Sequence, residues 1–420
     1  MALGHRLIKR VAVVGGGIVG TCSAIALAES GYDVTVVDAR PANAPNTSTG
    51  NAGMIVPSHF TPMATMAMVR LGLKLVVDSG GPFGFSRFDI ETLSWGWKFL
   101  AAARSHKPGV SELLRDLHLA SRAEYLRLGP LVGGVELRTH GLLALCKTQK
   151  ALDHEAEVQH HAANLGLEVN VLSRDDVSRL EPGSDFDVCG AVQFVDDAHI
   201  DAGKFLMASA QYARTLGVRW ISDSEVKSVR VRDGQAVALS TTNEDVEADE
   251  FVFAAGVWTK GLADSLGLQL PLLAGKVYSF TQTDPSIAMR SCALLIEARS
   301  AVTPLEGAWR LAGTREMGEP DPRVNQNRLK RLKKSFRQYI PSIPQDVVTM
   351  VDPWVGFRPC SPDGLPYIGR ARGLSNVTIA TGHGMMGLSL GPITGRIVSQ
   401  IVQNLDTGFE LSSLDPNRYA

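Results

Sequence analysis

Two groups of residues in this sequence have types and spacing suited to chemistry. Gly15, Gly17 and Gly20 form a GxGxxG pattern after the apolar run at 11–14, a helical apolar stretch follows, and Asp38 closes the next strand-like run. Glycines so placed let a strand-to-helix turn bring backbone N–H groups against a pyrophosphate, whose charge then sits at the positive end of the helix. An acid at the end of the second strand accepts hydrogen bonds from a ribose and disfavours a 2′-phosphate, which selects FAD or NAD over NADP. The other group lies in VGFRPCSPDG, residues 355–364, where Arg358 stands between Phe357 and Pro359. A solvated arginine needs neither an apolar nor a rigid neighbour. A guanidinium set there has the fork geometry to grip a carboxylate through two parallel hydrogen bonds, or to form a structural salt bridge.

A second GxGxxG occurs at Gly382, Gly384 and Gly387, in TGHGMMGLSLGPITG. The helical stretch after it runs to about 403 and is followed by polar, turn-like sequence with no further strand to supply a ribose acid, so a second dinucleotide site is not expected. A helix N-terminus built from small residues can instead face developing negative charge. A reduced flavin ring carries such charge and a reduced nicotinamide does not, which favours FAD.

These residues need elements to hold them. RVAVVGGGIVGTCSAIALAESGYDVTVVDAR reads as a strand over 11–14, a helix over 18–30 closed by Gly31, and a strand over 33–38, a βαβ unit. PANAPNTSTGNAGMIVP has loop chemistry, and so long a loop in an enzyme is usually functional. Helical periodicity follows over 60–130; strand signals GLLALCK and AVQFV flank a helix near 149–165. Later come a helix and two strands after 196, the buried strand EADEFVF, a sheet with a basic helix over 270–350, and glycine-rich strand and helix over 351–400. This alternation predicts an α/β protein in two discontinuous domains. A Rossmann-type cofactor domain takes 1–60, 196–265 and 350–420. An α+β substrate domain with a mixed or antiparallel sheet takes 61–195 and 266–349.

Composition narrows the partners. A 420-residue chain with net charge −1 and 45% hydrophobic residues is an ordinary globular protein with no global field to attract nucleic acid. Five scattered cysteines lack metal spacing and suit a reducing compartment. His154, His160 and His161 belong on an exposed helix that cannot aim all three at one ion, so no metal is expected. The short lead MALGHRLIK leaves no room for a signal peptide, and no run of about 18 apolar residues is present to span a bilayer. The basic run RLKRLKKSFRQ, 328–338, reads as a solvated helix face.

The motifs, together with TSTGNAGMIVP, FVFAAGVWT, GKVYS and the AGT of RLAGTRE, resemble the FAD-dependent amino acid oxidoreductases, a superfamily that includes D-amino acid oxidase, glycine oxidase and sarcosine oxidase. The bacterial D-amino acid dehydrogenase small subunit is the branch most similar. The resemblance spans about residues 10–400 and implies oxidative deamination of a free amino acid. Arg358 would clamp the carboxylate of a neutral amine, hydride would pass from Cα to flavin N5, and the imine would hydrolyse to a 2-oxo acid. Tyr278 would be a second carboxylate contact or pocket wall, with His59 a weaker candidate. FAD would be held non-covalently, since Cys360 does not align with a flavin-linking cysteine. Its expected contacts are Gly15, Gly17, Ile18, Val19, Gly20, Asp38, Ala39 and Arg40 around the first turn. The loop would add Ser48, Thr49, Asn51, Ala52, Gly53 and Met54, with Val226, Ala255 and Gly256 from the strands. Gly382, His383, Gly384, Met385, Met386 and Gly387 would come from the second turn, with His383 a neighbour of the ring and not a base. The resemblance further implies a quinone-type electron acceptor and a cytoplasmic protein that can sit peripherally on the inner face of the plasma membrane. Three alternatives stay open: an enzyme for cyclic or N-substituted amino acids such as D-hydroxyproline, a partner-dependent flavin subunit, and a homo-oligomer.

Overall fold

The computed structural model describes residues 9–42, 44–70, 83–85, 89–105, 107–283, 287–343 and 353–420. Strand Arg10–Val14, helix Ile18–Glu29 and strand Asp33–Val37 form as the sequence reading predicts. The two strands pair in parallel, Val11 opposite Val34 and Val14 opposite Val37. They are central to a six-stranded sheet in which Glu250–Phe253 pairs in parallel on one side and Arg219–Ile221 on the other; Val377–Thr381 and the antiparallel Tyr367–Arg370 complete it. Val11, Val13, Val34, Val36 and Val252 are buried on one face with Ile25, Leu27 and Phe205, as continuous apolar strands between helices require.

The helices of the two glycine turns, Ile18–Glu29 and Gly387–Gln403, lie side by side. Their approach is close because small residues make the seam: a Cβ on Gly395 would come within 2.5 Å of the Cys22 backbone. Ser30 and Ser399 hydroxyls meet across the far end at 3.0 Å.

The second large sheet has nine strands and is mostly antiparallel. Trp354–Cys360 is at one edge, followed by Leu273–Gln282, Ala308–Gly318, Ser300–Leu305, Cys292–Leu295, Leu142–Cys146, Gly190–Phe194 and Val169–Ser173; Phe83–Phe85 pairs with Ala308–Gly318. The basic helix, Gln326–Tyr339, turns Leu329, Leu332, Phe336 and Tyr339 inward with Trp309 and leaves its lysines at the surface. His154, His160 and His161 are exposed on helix Gln149–Asn164, and no metal-holding cluster occurs among the described residues.

One expectation shifts. The sequence reading assigned residues from 350 onward to the cofactor domain, yet Trp354–Cys360 pairs along its length with Leu273–Gln282 of the other sheet, Gly275 opposite Arg358. Strand pairing is decided by distant partners, and here the partner strand belongs to the other sheet. Arg358 is therefore carried by the edge of the nine-stranded sheet. The carbonyl of its neighbour Pro359 accepts the N–H of Gly384 at 2.8 Å, which ties that edge to the second glycine turn.

Candidate active site

A cavity of about 640 Å3 runs from the first glycine turn to the strand of Arg358. Gly15, Gly17, Ile18, Val19, Asp38, Ala39 and Arg40 line one end, Val226, Ala255 and Gly256 an adjoining wall, and Ser48 and Asn51 the loop side. Arg358, His383, Gly384 and Gly387 line it too, so two motifs more than 300 positions apart in sequence share one space.

The first turn is strained in the way its glycines allow. Gly15 has φ +106°, and its N–H donates to the Val37 carbonyl at 2.8 Å. Gly20 does not line the cavity: a Cβ there would be 1.9 Å from the Gly15 carbonyl, so this glycine serves the helix-to-strand approach. Gly17 differs. Its φ is −75°, and a Cβ there would find nothing nearer than Ser48 Oγ at 3.6 Å.

Asp38 Oδ2 accepts from Gly16 N–H at 2.6 Å and from Arg40 Nη2 at 2.9 Å, while Oδ1 accepts from Arg40 N–H and Nε at 2.9 and 3.2 Å. Its four acceptor positions are thus filled, and a ribose hydroxyl must displace an Arg40 bond to reach it. Ser48 Oγ accepts from the N–H of Ile18 at 3.1 Å, which holds the loop to the start of the first helix.

Other expected contacts sit elsewhere. Thr49 faces a separate cavity across the loop. Ala52 and Gly53 anchor the loop from behind: Thr303 Oγ1 donates to the Ala52 carbonyl at 2.6 Å, and Ile200 N–H donates to the Gly53 carbonyl at 2.8 Å. Met54 pairs with His199 in a short antiparallel strand. Gly382 packs on Tyr367, Met385 is 40% exposed, and the Met386 sulfur meets His118 Nε2 at 3.4 Å. None of these lines the cavity.

Tyr278 requires a correction. Its side chain is fully buried in the nine-stranded sheet, and its hydroxyl donates to Glu316 Oε1 at 2.6 Å and accepts from Asn325 N–H at 3.1 Å. Burial, and then the Glu316 bond, push its pKa up. It anchors the start of the basic helix and is absent from the cavity wall. The GKVYS motif gave its strand correctly but not which face the ring takes.

Histidines near Arg358 are held neutral. His59 is half-buried, and its pKa is lowered to about 4 by burial and then by the Arg358 charge, which places it within electrostatic reach of that guanidinium. Burial lowers His383 to about 3; its Nε2 meets Thr394 Oγ1 at 3.0 Å. A neutral, hydrogen-bonded His383 suits a wall of the cavity and does not suit a base. Beside His59, Ser58 donates its N–H and hydroxyl to buried Asp197 at 2.9 and 2.6 Å, and burial raises that carboxyl to about 7 against these bonds.

Several wall residues escaped the sequence reading. Asn46 organises the loop by accepting the N–H groups of Ser48 and Thr49 on Oδ1, at 2.8 and 3.2 Å. Thr47 Oγ1 bonds the Phe357 backbone, and Trp258 meets the Phe357 ring edge-on at 6.1 Å. Asn46 and Thr47 lie in the loop already singled out by composition. Trp258 lies in the motif FVFAAGVWT, but nothing local assigned it to the wall, since its place depends on a strand from the far end of the chain.

Residues 10–401 match the sequence model of a family described as FAD dependent oxidoreductase. The chain belongs to that family. Among curated proteins it is similar to the D-amino acid dehydrogenases of Paramagnetospirillum magneticum, 30% identical over 98% of this chain and 99% of that protein, and of Rhodopseudomonas palustris strain HaA2, 28% identical over 98% of each. Among solved structures it superposes on glycine oxidase from Geobacillus kaustophilus with TM-score 0.76 and 22% identity, covering 98% of this chain and all of that one. L-proline dehydrogenase from P. horikoshii follows with TM-score 0.74 and 17% identity over 98% of each chain. At such identities the structural likeness concerns the fold.

The cavity fits the FAD of this family. Helices Ile18–Glu29 and Gly387–Gln403 both begin without a capping side chain on the N-cap residue and without an acid in the first turn, so two positive helix ends meet the cavity. The protein gives no steric reason for glycine at Gly17, where a bare backbone leaves room for a diphosphate.

Proposed function

We propose that this FAD-dependent oxidoreductase oxidises the carbon–nitrogen bond of a free amino acid, a D-amino acid first among candidates, to an imine that hydrolyses to the 2-oxo acid. The observation that carries the reading is Arg358 in the wall of the cofactor cavity, tied through Pro359 to the second glycine turn. The names of the curated relatives support the D-amino acid.

Arg358 takes the substrate carboxylate in its guanidinium fork and so fixes where the α carbon points. Phe357 and Trp258, in edge-on contact, add apolar wall to the same cavity. His59, neutral at working pH, adds no repelling charge to the bound anion's partner. FAD, when bound, supplies the acceptor for the two electrons that leave the α carbon. No side-chain base is required if the amine binds without its extra proton. In this reading the six-stranded sheet holds the cofactor and the nine-stranded sheet, Trp354–Cys360 included, holds the substrate. The test is anaerobic: D-amino acids should bleach the flavin near 450 nm, while L- and N-substituted or cyclic amino acids serve as the comparison panel. A flavin that stays yellow with every D-amino acid rejects the proposal.

We also propose that a membrane surface holds the electron acceptor, a quinone. No helix among the described residues is long and apolar enough to cross a membrane. Helix Ile90–Arg104 nevertheless turns Ile90, Leu93 and Trp97 outward, 83%, 55% and 71% exposed, as one stripe. Lys98 and Arg104 lie on the same helix, while Glu91 is paired to Lys260. Such a face suits the headgroup layer of an anionic bilayer. The buried side of the same helix puts Trp95 Nε1 on the Cys360 carbonyl at 3.0 Å, two residues from Arg358. The holoprotein should sediment with phosphatidylglycerol vesicles and less with phosphatidylcholine ones. Leu93→Glu with Trp97→Glu should weaken this at least about tenfold; equal sedimentation of the variant rejects the surface.

A further inference from the structure

The loop that carries Ser48 and Asn51 has a second side. Thr49 and Gly50 face another cavity, of about 490 Å3, closed by helix Ala202–Thr215 and by the strands that carry Ser279, Thr281 and Arg310. Its wall contains three arginines, Arg40, Arg214 and Arg310, and one acid, Asp38. Asp38 is engaged by Arg40. Arg214 lies over the Trp220 ring with its guanidinium carbon 5.1 Å from the centroid.

Arg310 is the unusual group. Its Nε donates to Thr281 Oγ1 at 2.9 Å, and Nη1 donates to the carbonyls of Thr49 and Asn51 at 3.2 and 2.8 Å. All three acceptors are neutral, and among the described residues Arg310 makes no ion pair. Burial lowers its pKa; the acid that acts against this, Asp201, spends its Oδ1 on the N–H groups of Gly203 and Lys204. A half-buried guanidinium without a counter-charge, beside a second arginine and a hollow, is a site awaiting an anion. Trp220 and Trp354 supply flat walls, and Leu206 and Ala210 an apolar floor.

We propose that this cavity binds a small organic anion, a carboxylate on a flat aromatic body, through Arg310 with Arg214 in support. No acid in the wall is unengaged, so an ammonium group finds no partner and an amino acid zwitterion is excluded in favour of an amine-free carboxylate. The two cavities share Asp38, Arg40 and Asn46 in their walls, but Arg310 lines only this one and Arg358 only the other, and the proposal does not depend on the reaction proposed above.

The probe is 2-naphthoate, titrated calorimetrically into the FAD-loaded protein carrying Arg358→Met, which removes carboxylate binding at the other site. One equivalent should bind, and neutral 2-naphthol should bind at least about tenfold more weakly. Adding Arg310→Gln should weaken 2-naphthoate by about ten- to a hundredfold. Because Arg310 also braces the loop, Ala210→Phe supplies a second variant: it fills the hollow from the helix side and leaves every Arg310 bond in place, with the same loss expected. Absence of binding in the Arg358→Met protein, or unchanged binding in the Ala210→Phe variant, overturns the proposal. Turnover is not read, so a failure of the amino acid reaction leaves this result standing.

Discussion

Arg358→Met is expected to give a folded, yellow protein whose kcat/KM for its amino acid falls by about a thousandfold or more. Two effects combine. The carboxylate loses a charge-assisted, two-bond partner, and the α carbon loses the orientation that the fork imposed. Methionine has similar reach and no charge, so the strand should keep its register with Leu273–Gln282. FAD should stay bound, because the turns around Gly17 and Gly384 are untouched. Arg358→Lys restores the charge without the fork and should recover only part of the loss. A readout independent of turnover comes from His59, lowered to about 4 in part by the Arg358 charge. In Arg358→Met its titration, followed by NMR, should move upward. A methionine variant within about tenfold of wild type in kcat/KM would remove Arg358 from the substrate site.

Two alanines in the first glycine turn should fail in different ways. At Gly20 a Cβ would sit 1.9 Å from the Gly15 carbonyl, backbone against side chain with nothing able to swing aside. Gly20→Ala must spread the strand from the helix at the centre of the six-stranded sheet. A loss of about 3 kcal/mol or more is expected, with much of the protein recovered insoluble. At Gly17 the nearest atom to a Cβ is 3.6 Å away and φ is −75°, so Gly17→Ala should fold with a nearly unchanged melting temperature in its apo form. It should still lose FAD, because the added methyl occupies the space meant for phosphate. Flavin content after gel filtration, set beside apoprotein melting curves, separates the two. A Gly17→Ala protein that holds FAD like wild type would show that the diphosphate lies elsewhere.

Much of the site was readable from the chain because its parts are local. The glycines of the first turn, the helix they open and Asp38 fall within one βαβ unit, whose apolar periods repeat over short distances and whose turn admits few residue types. The loop after Pro41 announced itself by composition, and Arg358 by its apolar and rigid neighbours. The second glycine turn opens helix Gly387–Gln403, as its small residues and the apolar run after them led one to expect.

Side-chain direction and long-range pairing were not readable in the same way. A strand sends alternate residues to opposite faces, and only its partners decide which face meets the cavity. Tyr278 went to Glu316 and the basic helix for that reason. Thr49 and Ser48 are adjacent in sequence yet face different cavities, because Ser48 is drawn to the Ile18 N–H and Arg310 holds the carbonyl of Thr49. The sequence by itself determined the glycine turn, its helix and the placing of an arginine among apolar and rigid neighbours, since these follow from residue type and short-range geometry. Only the tertiary structure decided that Arg358 and the second glycine turn open on the same space, because a hydrogen bond between two segments distant from the first turn joins them.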